Sequence, residues 1–192
     1  RDYYLSSDAG LVAKRTAYQA YLAQLLTLAG ESNAEARAAA VVQFEHDLAQ
    51  VQWTRVQNRD EDATYNRWSM ADFAHNAPGF DWGAYFQAAG TAGQTTMIVA
   101  QPTAFTGTAH IIAGASQDVL NDYLMLRVVD RMAPFLSHDF VDATFAFRGP
   151  VLTCPPPNPV PWKRGLHLAL GPNPHPRRAP PLPRLFPPTP LG

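Results

Sequence analysis

Four histidines in the first 149 residues are the side chains best suited to bind a transition metal: His46, His75, His110 and His138. Two histidines four residues apart share one helix face and can bind one zinc ion, and no two histidines in the chain have that spacing. The one Glu-His pair, Glu45-His46, continues with Asp-Leu. We therefore predict no catalytic, cofactor-binding or metal-binding residue, and interpret these histidines as solvent-facing or locally hydrogen-bonded. A site assembled by folding is the alternative.

A set of aromatic residues between residue 53 and residue 86 could line a peptide-binding wall. They are Trp53, Tyr65, Trp68, Phe80, Trp82, Tyr85 and Phe86. Because bulky aromatic side chains dominate protein cores, we interpret most of them as packing between helices. The sequence does not indicate which of them would face a cavity.

Three arginines, Arg55, Arg59 and Arg67, flank the acidic run at residues 60–62. Arginine binds carboxylates in a bidentate geometry, so a clamp for a substrate carboxylate is one interpretation. A network of structural salt bridges that holds this polar connector is the interpretation we favour.

Residues after 149 differ in composition from those before it. Of the 18 prolines, 15 follow residue 149, whereas all 16 acidic residues precede it, so the two parts carry formal charges of −6 and +5. An acidic body argues against nucleic acid as a partner. Arg177–Pro183 fits an Arg-x-x-Pro-x-x-Pro ligand of SH3 domains, a pattern that also arises by chance in such sequence. Cys154 is alone, which excludes a disulfide within one chain, and we interpret it as incidental.

The elements that position these residues are predicted to be helical. Apolar residues three to four apart predict a helix that Ser7 or Asp8 caps and Gly30 ends, and then a second helix that begins at Asn33. A short loop between them predicts an antiparallel helical hairpin.

Further helix starts are predicted at Ser69, Asp81, Pro102, Ser116 and Ser137. Asp2–Leu5 is predicted to be extended, and Thr96–Ala100 is the one strand candidate. The sequence thus predicts an all-α, bundle-like domain with at most one short strand over residues 1–149, followed by an irregular proline-rich tail over residues 150–192. No apolar run approaches the roughly 20 residues that span a bilayer.

Several short motifs follow one another in a particular order and spacing. They are Arg1-Asp2-Tyr3-Tyr4, Asn58-Arg59-Asp60 with Thr64-Tyr65-Asn66-Arg67, Pro78-Gly79-Phe80-Asp81-Trp82, Val99-Ala100-Gln101-Pro102, Phe140-Val141-Asp142 with Phe145-Ala146-Phe147, and Trp162-Lys163-Arg164. Together, over residues 1 to about 165, they resemble the N-terminal helical region of neprilysin-like zinc metallopeptidases, in particular the bacterial oligopeptidases.

The resemblance implies a fold, an activity and partners. In that family the helical region caps a catalytic domain, and the two enclose a cavity that admits peptides and excludes folded proteins. Zinc is bound by a His-Glu-x-x-His helix and a downstream glutamate, and this sequence has no such helix motif. We therefore predict a fragment of a zinc metalloendopeptidase that binds no zinc and is inactive alone. Its implied partners are the catalytic domain of the same polypeptide and peptide substrates, and the family suggests a periplasmic or extracellular location.

Two matters stay open at this point. The tail after Gly165 is either a frameshifted reading of a GC-rich gene or a genuine disordered tail, and because the chain begins at Arg1 we expect the natural N-terminus to be missing. The alternative function is a stand-alone helical protein-interaction module with a proline-rich docking tail.

Overall fold

The computed structural model describes residues 1–149. The predictions for Cys154, for Arg177–Pro183 and for the rest of the tail lie outside the described residues.

Helices make up most of the described part of the chain, as predicted. The nine α-helices of residues 1–149 are α1 (Asp2–Leu5), α2 (Ala9–Leu28), α3 (Ala34–Val51), α4 (Glu61–Thr64), α5 (Met70–Asn76), α6 (Trp82–Ala88), α7 (Pro102–Gly114), α8 (Gln117–Met132) and α9 (His138–Phe147). Two short 3-10 turns, Gln57–Arg59 and Ala133–Phe135, and two strands, β1 (Asn66–Ser69) and β2 (Thr96–Val99), complete the list.

The prediction of at most one strand was wrong. Strand β2 lies where it was predicted, and it pairs antiparallel with β1 so that Asn66 lies opposite Val99 and Ser69 opposite Thr96. The Asn-Arg-Trp-Ser segment of β1 has no β-branched residue, so strand propensity does not reveal it. Its pairing partner lies about 30 residues away in the chain, and this tertiary pairing overrides the local preference.

The prediction that Asp2–Leu5 is extended was also wrong, because this segment forms the single helical turn α1. The Arg15 guanidinium on α2 donates hydrogen bonds to the carbonyl oxygens of Tyr3, at 2.9 Å, and Ser6, at 2.8 Å. Carbonyls at the end of a helical turn have no partner within it, so Arg15 satisfies groups that the turn leaves open.

Helices α2 and α3 form the predicted antiparallel hairpin. The Asp8 side chain caps α2 by accepting from the Leu11 amide, and Gly30 ends it at a φ of 85°. The Gly30 amide donates to the Thr27 carbonyl and the Glu31 amide to the Leu26 carbonyl, which is the Schellman arrangement. Asn33 begins α3 as predicted, but it adopts a left-handed conformation and its side chain makes no capping bond.

Two apolar cores hold the described residues together. The first joins α2, α3, α8 and α9, with Leu22, Leu25, Leu26, Val41 and Leu126 at its centre. The second is aromatic and is built from the sheet with α5, α6 and α7; it contains Trp68, Phe73, Trp82, Phe86 and Val99. Within residues 1–149, no helix is both long and apolar enough to span a membrane.

Candidate functional site

An apolar groove lies beside the second core and has a volume of about 580 Å³. Its walls come from α6, α7 and the residues that flank β2. Aromatic and aliphatic side chains dominate its lining, among them Phe80, Trp82, Tyr85, Phe105 and Ile112, and the side chains of Gln52, Gln101 and Thr108 add polar groups. The groove can therefore accept an apolar side chain of a peptide and hydrogen-bond the neighbouring backbone.

Local capping positions the aromatic wall of this groove. The Asp81 carboxylate accepts from the Ala84 amide at 2.9 Å and starts α6 at Trp82. The Trp82 indole then donates to the Ala77 carbonyl at 2.7 Å and stacks on Phe105 with ring centroids 5.7 Å apart. These contacts fix the orientation of Trp82 between the core and the groove.

The predicted aromatic set is divided between core and surface. Trp68, Trp82 and Phe86 are buried, which confirms the packing interpretation for them. Phe80 and Tyr85 line the groove with Trp82, and Tyr85 is half exposed. The two remaining members lie outside the groove: Tyr65 is exposed, and the Trp53 indole donates to the Thr103 hydroxyl at 2.7 Å.

The structure does not bring the four histidines together. Among residues 1–149, no three His, Cys, Asp or Glu side chains are placed to hold a metal ion. His46 lies beside its neighbour Asp47, with 3.4 Å between Nδ1 and the carboxylate oxygen Oδ1.

The predicted salt-bridge network around residues 60–62 was wrong. Arg55, Arg59 and Arg67 are exposed, and none of them forms an ion pair with any other residue that the structure describes. The connector is held instead by the Asp60 carboxylate, which accepts from the Ala63 amide at 3.0 Å and caps α4. A local cap replaces the network because it needs no long side chain to be immobilised.

A buried charged cluster, which we call the Glu45 cluster, was missed in the sequence. The Glu45 carboxylate is 6% exposed and accepts hydrogen bonds from the hydroxyls of Tyr4, at 3.0 Å, and Tyr18, at 3.2 Å. Arg127 on α8 completes the cluster with 3.1 Å between Nη2 and Oε1 of Glu45, and its guanidinium lies 5.4 Å from the centroid of the Tyr123 ring. No sequence signal marks these residues because they are far apart in the chain.

Two further charged residues of α8 form equivalent links. Arg37 donates from Nε to the buried Asp122 carboxylate at 2.9 Å and also pairs with Glu31, which ties α8 to the loop between α2 and α3. The Asp130 carboxylate accepts from the Tyr21 hydroxyl at 2.6 Å and pairs with Arg148.

Burial governs the protonation of the three tyrosines in these clusters. Burial, aided by the negative charge of Glu45, raises the pKa of Tyr4 and of Tyr18 well above the ordinary tyrosine value. Burial and the hydrogen bond to Asp130 raise the pKa of Tyr21 to about 12. A tyrosine hydroxyl is protonated at neutral pH in any case, and these raised pKa values keep the three hydroxyls protonated, as hydrogen-bond donors, further into the alkaline range.

A second concave surface, the polar pocket, lies between α1 and α2 on one side and α8 and α9 on the other. Its volume is about 480 Å³, and its lining combines aromatic rings with four cationic side chains. The cationic side chains are Lys14, Arg15, Arg127 and Arg148, and Asp130 is the one carboxylate among the lining residues that the structure describes.

The sequence family follows from a comparison with known proteins. The pattern described as Peptidase family M13 matches residues 1–172, which is most of the chain. The chain belongs to Peptidase family M13.

Several M13 relatives and solved structures are similar to the chain. Neprilysin-11 of Caenorhabditis elegans is 25% identical over 178 residues, and endothelin-converting enzyme 1 of Rattus norvegicus is 27% identical over 190 residues. These alignments cover 85% and 90% of this chain but 21% and 24% of the relatives.

Solved structures agree on the fold. The Mycobacterium tuberculosis zinc metalloprotease Zmp1 matches at 28% identity, with a TM-score of 0.79 for the inhibitor complex and 0.78 for the open state. Each match covers 88% of this chain, against 26% and 27% of the respective Zmp1 chain. The chain therefore spans about a quarter of the length of the M13 proteins that it matches.

The name of this M13 relative implies zinc, and the donor set of the described residues does not fit such a site. The requirement is three or four closely placed donors, and no such group exists between residues 1 and 149.

Proposed function

We propose that residues 1–149 are the helical cap of an M13 zinc metalloendopeptidase. Its function in the intact enzyme is to limit access to the catalytic cavity and to form part of the cavity wall. The substrates of the intact enzyme are oligopeptides that are small enough to pass the cap. The cap acts together with the catalytic domain of the same polypeptide, which carries the zinc.

The observation that carries this proposal is the joint match in sequence and in fold. The family pattern covers residues 1–172, and 88% of the chain matches the structure of a zinc metalloprotease at a TM-score of 0.79 with 28% identity. A match of this extent supports an equivalent place in the enzyme, because a helical body that keeps the same packing presents the same faces to its neighbours.

The apolar groove gives the cap a means to contact substrate. Tyr85 is 51% exposed at its rim, and Phe80 and Ile112 extend the apolar lining. An aromatic rim supplies contact area at little cost in side-chain entropy, which suits a wall that binds many peptides weakly. The cap would then favour peptides with apolar side chains without taking part in bond cleavage.

The residues of this chain do not supply the peptidase chemistry under this proposal. Hydrolysis in a zinc peptidase needs a metal-bound water and a base beside it. The 192 residues contain no His-Glu-x-x-His motif, and the tyrosines of the Glu45 cluster are held protonated by burial. The chain on its own is therefore expected to be inactive.

A chimera tests the cap function. Residues 1–149 replace the matching segment of the Mycobacterium tuberculosis protease, and cleavage of a short fluorogenic peptide is compared with cleavage of a folded protein. Zinc content and thermal melting confirm that the chimera has assembled. The proposal expects cleavage of the peptide and protection of the folded protein. Equal cleavage of both substrates by a zinc-loaded chimera would refute the cap function.

A further inference from the structure

The polar pocket carries more positive charge than its carboxylates balance. Arg148 donates to both oxygens of Asp130, at 2.9 and 2.8 Å, so Asp130 has a cationic partner. Arg127 pairs through Nη2 with one oxygen of Glu45, a buried carboxylate that is not part of the pocket lining. The one carboxylate of the described lining, Asp130, is thus already paired with a cation.

Lys14 and Arg15 have no acidic partner within residues 1–149. The Lys14 side chain makes no ion pair or hydrogen bond with any other residue between 1 and 149. Arg15 donates to the carbonyl oxygens of Tyr3 and Ser6, which leaves its charge uncompensated. Both side chains line the pocket, and positive charge on a concave wall attracts an anion, because a cavity with low-dielectric walls concentrates the field.

One donor at the pocket is also unused. The Nε atom of Arg127 is buried and has no hydrogen-bond partner, and it is the one side-chain nitrogen or oxygen of the described residues in that state. Because this nitrogen is itself buried, it lies within the pocket wall, and Lys14 and Arg15 are the cations in the lining that we expect to meet an anion.

The rest of the pocket is aromatic. The Phe147 ring stacks on Tyr21 with centroids 4.7 Å apart and contacts Tyr18 at 5.7 Å. Tyr3 adds a ring that is 57% exposed. A ligand that fits this surface has an apolar body that packs on the rings. A bare inorganic anion has no apolar part and would make no such contact with them.

We propose that the polar pocket binds a small organic carboxylate. Its carboxylate pairs with Lys14 and Arg15, and its aromatic or aliphatic body packs against Tyr3, Tyr18 and Phe147. The site lies apart from the apolar groove and shares none of its lining residues. It is independent of the proposed cap function.

Calorimetric titration of the full 192-residue chain with three probes tests the ligand class. The probes are 4-phenylbutyrate, its uncharged amide and acetate. We expect saturable binding of phenylbutyrate, and binding about tenfold weaker for each of the other two, since each lacks one half of the recognition. Equal binding of the amide refutes the role of charge, and equal binding of acetate refutes the role of the rings. No saturable binding of phenylbutyrate overturns the proposal altogether.

A pair of variants locates the site. Lys14→Gln removes one charge without breaking an ion pair or a side-chain hydrogen bond of the described residues, and we expect phenylbutyrate to bind about fivefold more weakly, as for the loss of one partly exposed ion pair. Arg55→Gln, at an exposed arginine outside the pocket, is the matched control and leaves binding unchanged. Circular dichroism establishes that both variants are folded. Equal affinities of the two variants would place the probe elsewhere and overturn the proposal.

Discussion

Glu45 is one of the two acidic residues that are buried in the described part of the chain. A carboxylate that is 6% exposed has lost nearly all of its water, and it is tolerated because two tyrosine hydroxyls and Arg127 replace that water. The three partners come from α1, α2 and α8, so one side chain on α3 orients three other helices. The Glu45 cluster therefore contributes to how the helices are arranged.

Removal of Arg127 tests this role. In Arg127→Met the buried Glu45 carboxylate keeps two neutral donors but loses its counter-charge, so we expect the free energy of unfolding to fall by about 2–3 kcal/mol. The estimate lies below the range for fully buried pairs because the Arg127 side chain is 38% exposed. Urea unfolding followed by circular dichroism measures the loss. Arg55→Met, at an exposed arginine without an ion pair, should stay within about 0.5 kcal/mol of the parent. Equal stabilities for the two variants would contradict the account.

Tyr18 makes stability depend on pH at the alkaline end. Its pKa is raised in the folded chain, first by burial and then by Glu45, above the ordinary value of 10.0. Because the folded state holds the proton more tightly, this stabilisation is complete below pH 10 and is lost as the pH rises above that value. We expect urea midpoints to fall more steeply with pH above 10 in the parent than in Tyr18→Phe. Parallel profiles above pH 10 would show that the hydroxyl is not held by the fold.

Local caps were predictable from the sequence at this scale and long-range pairs were not. The caps made by Asp8, Ser69, Asp81 and Ser116 bond an amide three residues ahead, so the sequence itself displays donor and acceptor. The partners of Glu45 lie 27 to 82 residues away. The salt-bridge network predicted for Arg55, Arg59 and Arg67 was wrong although its partners are close in the sequence. Closeness in sequence does not immobilise the side chains of exposed arginines.

At the scale of elements, α3 and α7 approach closely at one glycine. A methyl group placed on Gly107 would lie 2.6 Å from Cγ1 and 2.8 Å from Cβ of Val51, the last residue of α3. Because Gly107 has no side chain, α7, which contributes to the second core, can pack against the end of α3, which contributes to the first. The same contact explains a glycine in mid-helix, where it is intrinsically unfavourable.

A graded series at Val51 tests this contact. Gly107→Ala should lower the free energy of unfolding by about 1–3 kcal/mol, as overpacking does. Val51→Ala removes the nearer contact and leaves Cβ, so it should rescue the alanine in part, and Val51→Gly should rescue it further. Thermal melts of the single and double variants, taken as double-mutant cycles, measure the coupling. Additive effects of Gly107→Ala and Val51→Gly would contradict a direct contact.

Element boundaries depended on the same local signals. Proline at the start of α7, and glycine after α2 and α6, made those ends readable from the sequence. Strand β1 and the turn α1 were missed because each is stabilised by a distant segment: β2 for the strand and Arg15 for the turn. The apolar groove was predictable only in part. The sequence indicated its aromatic residues, but it did not indicate which of them are buried in the core and which line the groove.

At the scale of the whole molecule, α8 exposes an apolar stripe. Leu124 and Val128 are 62% and 63% exposed one turn apart, and Met132, at 39%, continues the row. A row with this spacing on one helix is typical of a face that packs against another element. Under the proposed function, the rest of the intact M13 enzyme covers this stripe.

Self-association of the isolated chain is the expected consequence. We predict that sedimentation velocity shows concentration-dependent association, and that Leu124→Glu with Val128→Glu reduces it without loss of helical content, because both side chains are already exposed. Glu substitutions at Gln19 and Gln24, which are also exposed on a helix, are the matched control and should leave association unchanged. A parent chain that stays monomeric at every concentration would instead favour the stand-alone module.

A peptidase assay of the purified chain tests the central claim most directly, namely that this region is a cap and not a catalytic unit. The 192-residue chain is incubated with zinc and a fluorogenic oligopeptide, with and without a chelator, and bound zinc is measured on the same sample. We expect no cleavage that the chelator abolishes, and no zinc bound to the chain in stoichiometric amount. Cleavage that depends on zinc, is abolished by the chelator and co-purifies with the chain would contradict it.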